Sequence, residues 1–140
     1  MKKVLLIGAD GMLGGELRER LEKNYEVYGT TLATLDITDR EAVLAKAKEV
    51  NPYFIINCAA YTNVDGCETN EDLALAVNGT ALANIAEAAK QEDATLIHIS
   101  TDYVFPLPVA PVMKMFRYSV IYSHVANLFM RSRLSFRPEV

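Results

Sequence analysis

Short apolar runs alternate along the chain with stretches whose apolar residues recur at helical spacing. Val4–Ile7, Phe54–Cys58 and Thr95–Ser100 are continuous runs of apolar and β-branched residues, and Val27–Gly29 is a weaker one. A run without polar alternation predicts a strand covered on both faces, as in parallel sheets. Between the runs, Met12–Lys23 has apolar residues at 13, 17 and 21, one face of a helix. Asp39–Val50 opens on a helix-capping residue and lines up Val43, Ala47 and Val50. Asp72–Lys90 is Ala-rich, with Leu73, Val77, Ala81, Ile85 and Ala88 on one stripe. The order β-α-β-α-β-α-β predicts an α/β fold, a doubly wound parallel sheet with right-handed crossovers. Such sheets bind ligands at the carboxyl ends of their strands.

Composition narrows this picture. With 51% hydrophobic and 23% charged residues the chain is globular and not disordered. Its 140 residues make one ordinary domain. The net charge of −4 argues against nucleic acid as its main partner. The charge is uneven, however. Residues 1–105 carry nine Lys/Arg against seventeen Asp/Glu, whereas 106–140 carry five basic residues and the single acid Glu139. Pro106, Pro108 and Pro111 mark the join, so 1–105 and 106–140 are separate units in this reading. The apolar run Val4–Ile7 is too short for a signal-peptide core and ends in a glycine-rich turn, which places the chain in the cytoplasm with Cys58 and Cys67 reduced. Met113–Met130 is interrupted by Ser119, Ser123, His124 and Asn127, so no transmembrane segment is expected.

The first chemical motif is GADGMLG, with glycines at 8, 11 and 14, directly after a strand and opening a helix. That context is the one a dinucleotide fingerprint requires. Gly8 serves the tight turn, Gly11 lets a diphosphate approach the backbone, and Gly14 allows the helix to pack closely on the strand. The helix start then offers free N–H groups to the phosphates. The second strand ends in Thr30 and Thr31, without an acid for a ribose 2′-hydroxyl and with no Arg or Lys nearby in sequence for a 2′-phosphate, so NAD and NADP both remain open. Asp36 has two readings, acceptor for an adenine amino group with Ile37 packed on the ring, or a loop acid capping the next helix. His98, between Ile97 and Ile99, reads as a core histidine, and Cys58 as a small buried residue; no metal site is expected. Asn78-Gly79-Thr80 matches a glycosylation sequon but falls inside a predicted helix.

The glycine spacing is similar to that of extended short-chain dehydrogenase/reductases. NCAAYTNVDGCE, VNGTALANIAEAAK and IHISTDYVF together resemble the dTDP-4-dehydrorhamnose reductase family over residues 2–105. The resemblance implies an NAD(P)-binding Rossmann fold, here truncated. It also implies NAD(P)H-dependent reduction of the 4-keto group of dTDP-4-dehydro-L-rhamnose to dTDP-L-rhamnose, with a nucleotide-sugar substrate. By the same resemblance Gly11, Met12 and Leu13 line the diphosphate, and Asp36 and Ile37 flank the adenine. Ala59, Ala60 and Tyr61 run along the middle of the coenzyme, and Ile99 approaches the nicotinamide. Thr101 hydrogen-bonds the sugar's C4 oxygen as the hydroxyl member of a Ser/Thr–Tyr–Lys set, and Asp102 positions the sugar. Asn78 is expected to buttress the strand beneath it.

The pattern then breaks. A Tyr-x-x-x-Lys pair, proton donor and ribose clamp, is due some two dozen residues past STDYVF in this superfamily. Here Tyr103 is followed at the fourth position by Leu107, Tyr118 by Tyr122 and Tyr122 by Ala126. Weak or no turnover is expected. The alternative is a non-catalytic regulatory subunit resembling the methionine adenosyltransferase β subunit, or a bare dinucleotide-binding fragment. Residues 106–140 read as a shifted frame, a new ending on a shortened paralogue, a basic amphipathic surface for anionic membrane, or, least, a nucleic-acid contact. A sheet ending at its fourth strand leaves an apolar edge, to be covered by that segment or by a second copy in a homodimer.

Overall fold

The computed structural model describes residues 1–63 and 69–99. Among the described residues four strands form one parallel sheet: β1 (Lys3–Ile7), β2 (Glu26–Thr30), β3 (Phe54–Asn57) and β4 (Thr95–His98), in the order β2-β1-β3-β4. The helices between them are α1 (Met12–Leu21), α2 (Arg40–Val50) and a long rod made of α3 (Glu71–Leu75), a π-helical turn (Ala76–Thr80) and α4 (Ala81–Gln91). The predicted doubly wound α/β sheet is therefore present. The chain runs from β1 to β2 on one side, then crosses to β3 on the other, so strand order reverses between β1 and β3. A crevice at the carboxyl ends of those two strands is the standard ligand position in such sheets.

Among the described residues the two faces of the sheet bury different amounts. On one, Leu5, Ile7, Ile55 and Leu96 pack against Val43, Ala47 and Val50 of α2 and Ala81, Leu82, Ile85 and Ala88 of α4. On the other, Val4, Leu6, Ala9 and Ile56 meet Leu17 and Leu21 of α1. Strand side chains alternate between faces, so Leu96 belongs to the first face and Ile97 to the second. Ile97 and Ile99 are 40% and 43% exposed. At the amino edge Tyr25 and Tyr53 each meet Phe54 edge-on, with ring centroids 5.9 and 4.7 Å away.

Helix starts follow local chemistry. Asp39 caps α2 by accepting a hydrogen bond from the Ala42 amide at 3.0 Å. The cap of α2 at its other end is Asn51, in the left-handed region at φ 49°. The expected stripe on the long rod holds for Ala81, Ile85 and Ala88 but fails at Leu73, which is 46% exposed. The π-helical turn explains the failure: it advances less per residue than an α-helix, so residues before it are rotated out of the phase set by α4. Among the described residues no helix is long and apolar enough to cross a membrane. Residues 106–140, and with them their expected packing or pairing, lie outside the described residues.

Candidate functional site

Parallel register places Thr30, Ile7, Asn57 and His98 side by side at the carboxyl edge of the sheet. The segments leaving that row carry most of the expected coenzyme residues. Gly8 turns the chain out of β1 at φ +78°, a conformation that favours glycine. The amides of Gly8 and Ala9 both donate to the Thr30 carbonyl, at 2.9 and 2.8 Å, tying the bend to the end of β2. A Cβ on Gly8 would stand 2.8 Å from the Ala59 nitrogen, so the bend and the loop after β3 are in backbone contact. Gly14 has the tightest requirement: a Cβ there would lie 2.0 Å from the Gly8 carbonyl oxygen. This is the close helix-on-strand approach expected for the third glycine of the motif.

The mouth of α1 differs from that of α2. Its cap residue, Gly11, offers no side-chain hydrogen bond, and its first turn holds no acid. The unbonded amides and dipole of a helix start favour an anion, and here nothing of the chain's own fills that role, whereas α2 is closed by Asp39 with Glu41 in its first turn. Gly11 itself has only the Gly8 oxygen near its Cβ position, at 3.4 Å. Met12 and Leu13 stand out into solvent, Met12 96% exposed. The cradle therefore fits a diphosphate by its open glycine, its amides and the lack of an acid in the first turn of α1.

Asp36 lies exposed beyond β2. Its Oδ1 accepts from the Thr38 amide at 2.9 Å and the Thr38 hydroxyl at 2.7 Å. The hydroxyl first and then the amide hold this carboxyl below its ordinary value. It does not cap α2; Asp39 does. Ile37 sits in the main core, 5% exposed, with little side-chain surface left for a ring to pack on. This loop is anchored from α4, where the buried Asn84 donates to the Ile37 carbonyl at 3.1 Å and the Thr38 carbonyl at 3.4 Å. Arg40 and Glu87 form a two-pronged ion pair alongside.

A second clamp holds the loop after β3. Asn78, in the π-helical turn, accepts from the Tyr61 amide at 2.8 Å and donates to the Tyr61 carbonyl at 3.0 Å. It thus holds the loop beyond β3, not the strand itself. Ala60 is exposed and Ala59 and Tyr61 half-buried along the same stretch. Asn57 bridges to the other side: its Oδ1 accepts from the Ala59 amide at 3.0 Å and its Nδ2 lies 3.1 Å from His98 Nδ1. The Ile99 amide donates to the Asn57 carbonyl at 3.2 Å, extending the edge. Cys58 is half-buried, and burial pushes its thiol pKa up.

The structure thus places Gly8, Gly11, Met12, Leu13 and Gly14 in the bend after β1 and the start of α1, Ala59, Ala60 and Tyr61 in the loop after β3, Ile99 just past β4, and Asp36 and Ile37 in the loop beyond β2. Thr101 and Asp102 lie outside the described residues. A basic group that the local sequence did not reveal also enters: Arg18, from α1, has Nη1 3.7 Å from where a Cβ of Gly29 would stand. It comes from a different helix, eleven residues before β2 closes with Gly29 and Thr30, so only the fold brings it there. Asn84 was missed because an amide on an Ala-rich stripe carries no local signal. Among the described residues no group of three or more His, Cys, Asp or Glu is placed to hold a metal ion. A depression of about 480 Å³ lined by Thr69–Leu73 holds none of the expected coenzyme residues.

Known proteins are similar to this chain in sequence and fold. A reductase from Haloferax volcanii, described as a probable low-salt glycan biosynthesis reductase, is 42% identical over 109 residues, covering 70% of this chain and 36% of its own. The dTDP-4-dehydrorhamnose reductase of Streptomyces griseus is 44% identical over 103 residues, 73% of this chain and 34% of that protein. The crystal structure of dTDP-4-dehydrorhamnose reductase from Bacillus anthracis in complex with NADP superposes with a TM-score of 0.72 at 41% identity, covering 76% of this chain and 39% of that one. The chain spans roughly a third of the length of the curated relatives it matches. The family described as RmlD substrate binding domain matches residues 1–131, continuing past the composition break at residue 106. On that match, over a Rossmann sheet shared with its solved relatives, the chain belongs to the RmlD substrate binding domain family.

Proposed function

We propose that this chain is the coenzyme-binding part of an NADP(H)-dependent reductase acting on a nucleotide sugar, with dTDP-4-dehydro-L-rhamnose as the substrate and its C4 ketone as the reacting group. The observation that carries the reading is the start of α1, without a side-chain cap or an acid in its first turn, behind a bend where Gly8 and Gly14 leave no room for side chains and Gly11 stays open. The Gly8–Gly14 bend would hold the diphosphate by its amides. The Asp36 loop, braced by Asn84, would flank the adenine, and Ala59 to Tyr61, braced by Asn57 and Asn78, would line the middle of the coenzyme. Arg18, paired through Nε with Glu22 at 2.7 Å, would bring its Nη1 near the end of β2, where a 2′-phosphate would be read. That favours NADP over NAD, in keeping with the NADP bound by the Bacillus anthracis relative.

The bound coenzyme would supply hydride to the ketone carbon, and the new alkoxide would need one proton. Thr101 would hold the C4 oxygen and Asp102 the sugar. The Tyr-x-x-x-Lys pair that would deliver the proton is not in register anywhere in 103–140, so coenzyme binding is expected to exceed turnover. That same absence supports the second reading, a non-catalytic subunit similar to the methionine adenosyltransferase β subunit.

Calorimetry of the full chain with NADPH and NADH, followed by assay of the ketosugar on the same sample, tests both. Binding of NADPH with slow or no reduction is expected. Gly11→Val should keep the fold by circular dichroism yet weaken NADPH at least about tenfold, because its side chain occupies the diphosphate's place. A folded chain that takes up neither coenzyme overturns the reading. Rapid turnover would show that another group delivers the proton.

A further inference from the structure

One polar relay at the carboxyl edge of the sheet is not part of the coenzyme cradle itself. His98 ends β4 opposite Asn57, which ends β3. Each stands two residues beyond a core residue, Leu96 or Ile55, so both face the α2–α4 side. Asn57 is 2% exposed and His98 half-buried. The Ala59 amide, which can only donate, points at Asn57 Oδ1 from 3.0 Å. That contact settles which end of the carboxamide is oxygen. The nitrogen end then faces His98 Nδ1 at 3.1 Å, and an amide nitrogen can only donate. Nδ1 must therefore offer a lone pair, which makes the ring neutral with its proton on Nε2. The far end of the relay touches the bend, since the Ala59 nitrogen is 2.8 Å from the Cβ position of Gly8.

We propose that His98 is a positioning residue for coenzyme binding: its unprotonated Nδ1 orients Asn57, which holds the Ala59 amide and so the wall of the crevice opposite Gly8. The proposal rests on the dinucleotide reading above. Protonation at Nδ1 would set two donors face to face. Turning the carboxamide over would only move that conflict to the Ala59 amide. The neighbours do not relieve it: β3 presents the uncharged Asn57 and Ile55, and the buried face of α4 carries Ala, Leu and Ile with Asn84. Burial lowers the pKa of His98 from its ordinary 6.5, and among the described residues no charged group adds to that shift. The folded state therefore binds fewer protons than the unfolded one near pH 6.5. The relay is intact above that pH and weakens as pH falls toward the lowered value.

The test uses the full chain with ¹⁵N-labelled histidine, its ring signals assigned against His98→Leu. At about pH 7.5 His98 should show the Nε2–H tautomer. In Asn57→Asp the carboxylate should draw a proton onto Nδ1 and raise the ring's pKa. NADP⁺ affinity should fall severalfold between about pH 7.5 and about pH 5.5 in the native chain. It should be about three- to tenfold weaker and nearly flat with pH in His98→Leu, with recovery in His98→Gln, which keeps an acceptor. An Nδ1–H ring in the native chain overturns the relay, as does native affinity and pH slope in His98→Leu. Should His98→Leu fail to fold, the ring state of Asn57→Asp decides. An Nε2–H ring in a chain that binds no coenzyme overturns the site reading and leaves the relay standing.

Discussion

The two faces of the sheet are built by opposite means. Against α2 and α4 the contact is side chain on side chain, fifteen buried residues interlocking across two helices. Against α1, among the described residues, the buried apolar cluster holds four residues, and the decisive contact is backbone on backbone, Gly14 over Gly8. Among the described residues the first face supplies most of the apolar burial. The second gives up side-chain packing so that a helix start can come close to the bend, which is the geometry a diphosphate needs. Stability and recognition are thus separated by the thickness of one sheet.

This contrast predicts that methyl groups act with opposite sign on the two faces. The largest effect is expected from Gly14→Ala, where one added methyl drives into the Gly8 carbonyl at 2.0 Å; a loss on the order of 4 kcal/mol in urea unfolding should follow. Gly15→Ala, whose Cβ would stand 3.9 Å from the nearest contact, is the control and should not destabilise. Next comes removal of side chain at two adjacent residues of β4. Leu96→Ala, on the buried face, should cost about 3 kcal/mol and Ile97→Ala, on the α1 side, less than about 1 kcal/mol. Equal costs would show that the α1 side of β4 is as well covered as the other. A smaller effect than that of Leu96→Ala is expected from Asp39→Ala, which uncaps α2 and should cost about 1 kcal/mol in the same melts while leaving coenzyme affinity unchanged.

What could be read from the sequence was what local spacing encodes. The runs at Val4, Phe54 and Thr95 and the stripe at Val43, Ala47 and Val50 report burial through period alone, and the three glycines gain meaning from their place between a strand and a helix. The braces were not readable in that way. Asn84 meets Ile37 across 47 residues, Asn57 meets His98 across 41, and Asn78 meets Tyr61 across 17. Each is an amide in an apolar stretch, indistinguishable in sequence from a solvated one. Arg18 is the same case in reverse: a surface helix residue by pattern, it reaches β2 only because α1 packs beside it. Leu73 failed because a π-helical turn changes the angular advance along a rod that sequence treats as uniform.

The Asn78 clamp bears on how the molecule ages. Asn followed by Gly is the dipeptide in a loose chain most given to losing its amide, as the glycine nitrogen attacks the side-chain carbonyl. Here both ends of that amide are engaged by Tyr61 and the backbone is wound in a helix, which keeps attacker and target apart. Each excursion to the unfolded state lifts that protection. Once the amide became a carboxylate it would set oxygen against the Tyr61 carbonyl, so chemical wear at this one position would be written directly into the shape of the loop behind β3.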